Sequence, residues 1–191
     1  MNAMERLGML KWLWVTLLVV ILDQFTKQWA ETTLDMYKPV ELISNLNLYL
    51  AYNKGAAFSF LSDAAGWQRW FFTVIALGVS VALVFWMRKL NKHETLTAIG
   101  LAFILSGAVG NVIDRILFGH VIDFIQFYYH AQSCLPGFSA FTGNQGMQCI
   151  WPAFNVADSA ITVGAVLLIL DSLKSMRRSH DKQSTADSRS T

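Results

Sequence analysis

The chain has 191 residues, of which 54% are hydrophobic and 15% charged, and its formal net charge is +2. With a mean hydropathy of +0.39, it is too apolar for a disordered chain, and 3 prolines with 12 glycines exclude a collagen-like or low-complexity one. Such a small net charge says little about nucleic acid, and no nucleic-acid partner is expected; what matters is where the 15 Lys and Arg residues sit, because local basic charge orients a membrane protein.

The first apolar run spans about residues 10–30 and contains Asp23 and Lys27. Arg6 and Lys11 precede its core as in a secretory signal, but Gln28-Trp29-Ala30 is a poor cleavage site, so an uncleaved first helix is expected. Asp23 and Lys27 are four residues apart, share one helix face and can pair there, which lowers the cost of placing either near lipid. The following segment, 31–68, alternates Leu46, Leu48 and Leu50 with Asn45, Asn47 and Tyr49, a period of two that predicts a strand in a small sheet outside the membrane.

Two uncharged stretches, 70–87 and 96–113, are each long enough at about 1.5 Å per residue to nearly cross a core of about 30 Å. They predict transmembrane helices over 69–87 and 95–113, and a fourth over 154–174 admits Asp158 and Asp171. Between the last two, segment 117–152 holds Cys134 and Cys149 in a stretch, 131–151, without charge. A disulfide and two free thiols are both open there. The polar stretch 179–191 is expected to be a disordered tail, after a single membrane-embedded domain over 1–178.

On this four-helix layout, ten of the Lys and Arg residues fall on the side holding both termini and five on the other, which predicts cytoplasmic termini. Most of the tryptophans fall near predicted helix ends, as an aromatic belt would. The expected fold is therefore an α-helical integral membrane protein: four transmembrane helices with a small extracytoplasmic β-sheet and loop.

Asp114, Asp123 and Asp158 all map near the outer ends of the third and fourth helices. An aspartic hydrolase needs two such carboxylates sharing one proton, one to activate water and one to polarise the scissile carbonyl. Competing chemistries lack their residues: there is no HExxH pair, no CxxC and no GxSxG, so neither a metal nor another cofactor is expected. A transporter using the same acids is the main rival; four helices are few for one, and neither an inverted repeat nor a pair of broken helices is visible. A purely structural assembly factor would leave the clustered Asp and Asn residues without a reason.

Four ordered blocks carry a family resemblance: Asp23 with Lys27; Asn53-Lys54-Gly55-Ala56-Ala57-Phe58; Gly110-Asn111-Val112-Ile113-Asp114-Arg115 followed by Gly119-His120-Val121-Ile122-Asp123-Phe124; and Phe154-Asn155-Val156-Ala157-Asp158. In these, over nearly its whole length, the chain resembles bacterial prolipoprotein signal peptidase, the signal peptidase II family. The resemblance implies an aspartic endopeptidase of the bacterial inner membrane. It would remove signal peptides from diacylglyceryl-modified prolipoproteins just before the modified cysteine, with its site facing the periplasm. It also implies that Asp123 and Asp158 are the catalytic pair and Asp114 is not.

Around that pair, Asn111 and Asn155 can orient a carboxylate or hold a substrate backbone, and Asn155 can equally cap the fourth helix. Arg115 can bind a substrate carbonyl or pair with Asp114; Asn53 can bond a peptide or simply make a turn beside Gly55. Asp23, Lys27 and Asp114 are read as structural support, as are Gly110 and Ala157, whose small side chains let the aspartate-bearing helices approach. The stretch 132–148 looks long for the family and is either a mobile flap over the site or a surface loop. Substrates and membrane lipids are the expected partners, and a monomer suffices.

Overall fold

The computed structural model describes residues 8–55, 67–143 and 146–187. A 3₁₀ turn, Gly8–Trp12, leads into α1 (Leu13–Thr33); then come β1 (Val40–Ile43), β2 (Leu46–Asn53), α2 (Trp67–Lys89), α3 (Thr95–Leu117), β3 (Val121–His130), β4 (Ser139–Gly143), β5 (Gly146–Ile150) and α4 (Val156–Asp187). Ala56, Ala57 and Phe58, the end of the second sequence block, lie outside the described residues.

Among the described residues, four helices are long and apolar enough to cross a membrane. Their side chains divide as lipid requires. Leu17, Phe25 and Val74 point outward, at 61%, 70% and 66% exposure, which in water would be a large apolar liability and in hydrocarbon is not. The inward-facing side chains form a core of Val15, Leu83, Met87, Leu101, Ala102 and Leu105 contributed by α1, α2 and α3.

α3 is the central helix, with 61% of its span buried against 17–22% for the other three. Its sequence explains the position. Gly100, Ala102, Ser106, Gly107, Ala108 and Gly110 present so little side chain that neighbouring backbones come close. At Gly110 an added Cβ would stand 2.5 Å from Asp23 Oδ2 and 3.3 Å from the Ala157 Cβ, so α1, α3 and α4 meet where no side chain fits.

The strands form one antiparallel sheet in the order β1-β2-β3-β5-β4. The alternation of Leu46, Leu48 and Leu50 is a strand, as expected, but not a uniform one. The β2–β3 register shifts between Leu48 and Ala51, so the side-chain parity changes and Leu50 is buried on its own. The shift puts Ala51 opposite Asp123 and Asn53 opposite Val121, on the sheet face that carries Asp123.

Three differences from the sequence reading concern segment ends. α1 runs to Thr33 and α3 to Leu117, beyond the expected spans, so Asp114 and Arg115 lie in the last turn of a helix. Segment 117–152 contains β3, and the part expected to be a loop, 131–151, holds a β4–β5 hairpin, with Cys134 joined to Cys149. α4 continues as helix to Asp187, through most of the polar stretch read as a disordered tail.

Candidate active site

Asp123 sits on β3 and is 2% exposed; Asp158 sits in the first turn of α4 and is half-buried. Two asparagines join them. Asn155 donates from Nδ2 to Asp123 Oδ1 at 2.7 Å, and Asn111 donates from Nδ2 to Asp158 Oδ1 at 2.8 Å. The asparagines also meet each other, Asn155 Nδ2 donating to Asn111 Oδ1 at 3.2 Å.

Asn155, which bonds Asp123, also makes the cap read for it. Its Oδ1 accepts the Asp158 N–H at 2.9 Å, and Asp158 Oδ2 accepts the Asn155 N–H at 3.3 Å, a reciprocal cap at the start of α4. The cap is thus built from a residue of the acid pair. It fixes the Asp158 side chain by the same bonds that begin its helix.

Beneath the pair lies a second charged layer, wholly buried. Lys27 Nζ stands 2.8 Å from Asp23 and 2.8 Å from Asp114, all three at most 1% exposed, and donates to Asn111 Oδ1 at 3.0 Å. The two carboxylates reach onward to backbone. Asp23 Oδ1 accepts the Ala157 N–H at 2.8 Å, and Asp114 Oδ2 accepts the Ile122 N–H at 3.1 Å. Ala157 precedes Asp158 and Ile122 precedes Asp123, so this layer holds the chain one residue before each member of the pair.

Gln24 completes the layer, donating to Asp114 Oδ1 at 2.9 Å, to the Gly110 carbonyl at 3.2 Å and to Asp23 Oδ2 at 3.2 Å. The sequence reading passed over it; its position beside Asp23 on a membrane-depth helix was the available signal.

Asp123 holds its proton unusually well. Burial, then the nearby Asp158 charge, push its carboxyl up to about 7, against hydrogen bonds from Asn53 and Asn155 and the more distant Lys27 charge. Asn53 also makes the turn read for it, accepting the Gly55 N–H at 2.8 Å. The other open choice, Arg115, does not join Asp114, whose ion-pair partner is Lys27. Arg115 instead donates to the Asn111 carbonyl at 3.3 Å and lies over the Phe72 ring at 5.8 Å.

Next to Asn53, Tyr52 donates to Glu31 at 2.9 Å and its ring lies 4.0 Å from His120. This cluster anchors the end of β2 to α1, and burial there lowers the His120 pKa. A groove of about 580 Å³ opens beside Asp158. Phe127 and Phe154 line it from the sheet side, Phe138 and Trp151 from the hairpin side, and Ser159, Thr162 and Val163 from α4.

A family model described as "Signal peptidase (SPase) II" matches residues 15–174. The chain belongs to the signal peptidase II family. Among its relatives, the lipoprotein signal peptidase of Pseudomonas fluorescens strain Pf0-1 is 48% identical over 177 residues, covering 92% of this chain and 95% of that protein. That of Pseudomonas aeruginosa strain UCBPP-PA14 is 47% identical over 178 residues, covering 93% and 96%. A solved bacterial membrane enzyme superposes with a TM-score of 0.67 at 32% identity, over 86% of this chain and 93% of that one. As a signal peptidase II, this chain is a multi-span helical membrane protease, and the four blocks that suggested the family fall within the matched residues.

Proposed function

We propose that the chain removes signal peptides from diacylglyceryl-modified prolipoproteins, cleaving just before the modified cysteine, with Asp123 and Asp158 as the aspartic pair. The observation that carries this reading is the convergence of two carboxylates, from a strand and a helix distant in sequence, onto the mutually bonded Asn111 and Asn155.

Two acids coupled so that the charge of one raises the pKa of the other share a proton, and the buried member is the one disposed to keep it. Ionised Asp158 takes a proton from water as the water oxygen attacks the scissile carbonyl carbon, while protonated Asp123 hydrogen-bonds and then protonates the carbonyl oxygen. The resulting diol collapses with cleavage of the C–N bond. Asp158 returns its proton to the leaving amine, Asp123 recovers one from a diol hydroxyl, and the pair ends as it began. Asn53 and Arg115 stand beside the pair as candidates to hold the substrate backbone.

The placement suits an interfacial substrate. The acid pair lies at the sheet end of the helix bundle, where water reaches a bond that pure hydrocarbon would keep dry. We assign this end to the periplasmic side of the inner membrane and both termini to the cytoplasm, from the basic residues clustered at the opposite end. One chain supplies every group in the scheme, so a monomer is sufficient.

The test is cleavage of a diacylglyceryl-modified prolipoprotein by purified protein, wild type beside Asp123→Asn and Asp158→Asn. Cleavage before the modified cysteine, lost in both variants, is the expected result. Activity retained in either variant means that the wrong carboxylates were chosen; no cleavage by folded wild type would return the transport reading to the front.

A further inference from the structure

The groove beside Asp158 has a wall of distinct origin. Phe127 and Phe154 pack at 5.5 Å between ring centres and belong to β3 and the approach to α4. Phe138 and Trp151 face them from the two ends of the β4–β5 hairpin segment, 5.0 Å apart, and Phe138 rests in turn on Tyr129 at 5.0 Å. The groove is apolar apart from the Asp158 carboxylate and two α4 hydroxyls. Its α4 side continues through Thr162 and Val163, both exposed on the membrane-crossing helix, so the groove runs from the acid pair toward lipid.

The turn that carries Phe138 is tied at its start by the disulfide and at its end by the pairing of β4 with β5, where Ser139 lies opposite Ile150. Cys149 is fully buried on β5, and its bond to Cys134 spans a sequence separation of 15. From Cys134 the chain reaches Phe138 through Leu135, whose N–H donates to the Tyr129 hydroxyl at 2.8 Å and whose carbonyl accepts the Phe138 N–H at 3.2 Å. Gly137 makes the closure possible: at φ +90°, a Cβ there would stand 2.9 Å from the Trp151 ring.

We propose that this disulfide-closed hairpin determines substrate specificity: Phe138 and Trp151 form the outer wall of a groove that takes an acyl chain of the substrate's lipid group, and the Cys134–Cys149 bond holds that wall in place. The occupant follows from position. The scissile bond lies at Asp158, the lipid is carried by the residue just after it, and the groove leads from that carboxylate between aromatic walls to the bilayer. Its volume falls within the range of about 300–1,000 Å³ that encloses small apolar ligands. The inference rests on the proposed function and adds to it a dependence on acyl length and on disulfide oxidation.

The experiment uses full-length protein in lipid nanodiscs and prolipoprotein peptides bearing dipalmitoyl or dioctanoyl glyceryl cysteine. Wild type is expected to prefer the long chain by about tenfold in kcat/KM. Trp151→Ala and Phe138→Ala should bring that preference within about twofold, with the loss falling on KM. Reduced wild type and the Cys134→Ser/Cys149→Ser protein should do the same. Partition of substrate into lipid is common to all variants, so only the enzyme's own discrimination is read.

Trp151→Ala keeps the disulfide and every helix and tests the wall by itself. An unchanged preference in Trp151→Ala and Phe138→Ala overturns the acyl groove. Full preference in reduced protein overturns the role of the disulfide. Cleavage of neither peptide by wild type overturns the function beneath the proposal as well.

Discussion

Lys27 on α1 stands 2.8 Å from Asp114 on α3 while also pairing with Asp23, so one buried lysine serves two buried carboxylates. Lys27→Met is expected to destabilise the protein by roughly 3–5 kcal/mol, because it leaves both acids without their cation. Restoring neutrality with Asp23→Asn/Lys27→Met/Asp114→Asn should recover much of that loss. Thermal unfolding in detergent makes the comparison; a triple variant no more stable than the single one would show that charge pairing is not what the layer contributes.

The raised Asp123 pKa gives the reaction an alkaline limit. Its carboxyl must be protonated to polarise the carbonyl, so kcat/KM should fall as pH rises through about 7, approaching tenfold per unit above it. The Asn53 hydrogen bond favours the charged form and lowers this pKa. Asn53→Ala should therefore move the limit to higher pH. A pH–rate profile reads both effects, and a limit that stays put or moves downward contradicts the assignment of Asp123 as the proton donor.

At Gly110 any side chain must displace Asp23 or push α3 away from Ala157. Gly110→Leu is thus expected to separate the two carboxylates and abolish cleavage while the helices still insert. Membrane fractionation checks insertion and a cleavage assay checks the rest. Normal turnover would refute the close-packing explanation.

Much of this protein was readable along the chain because its determinants are local. Uncharged runs long enough to cross hydrocarbon define helices wherever they occur, and the four-residue spacing of Asp23 and Lys27 makes them neighbours on any helix. The acids near helix ends and the four motif blocks pointed to the family in the same way. β3 is not legible in the sequence although Val121, Ile122, Phe124 and Ile125 are good strand formers, because it is buried on both faces at its start and so shows no clean apolar–polar alternation.

Partnership between distant residues was decided only by the tertiary structure. Nothing in the spacing of Asp114 and Arg115 says that the acid turns to Lys27, across to another helix, and leaves the arginine to the Asn111 carbonyl. That choice depends on how closely α1 and α3 approach, which Gly110 permits. Nor does a count of two cysteines reveal that they are joined in the hairpin segment whose Phe138 and Trp151 line a groove beside Asp158. Sequence determined the membrane spans, the acid inventory and the family, since periodicity and composition act on neighbours; packing distance and strand register decided which of those residues meet.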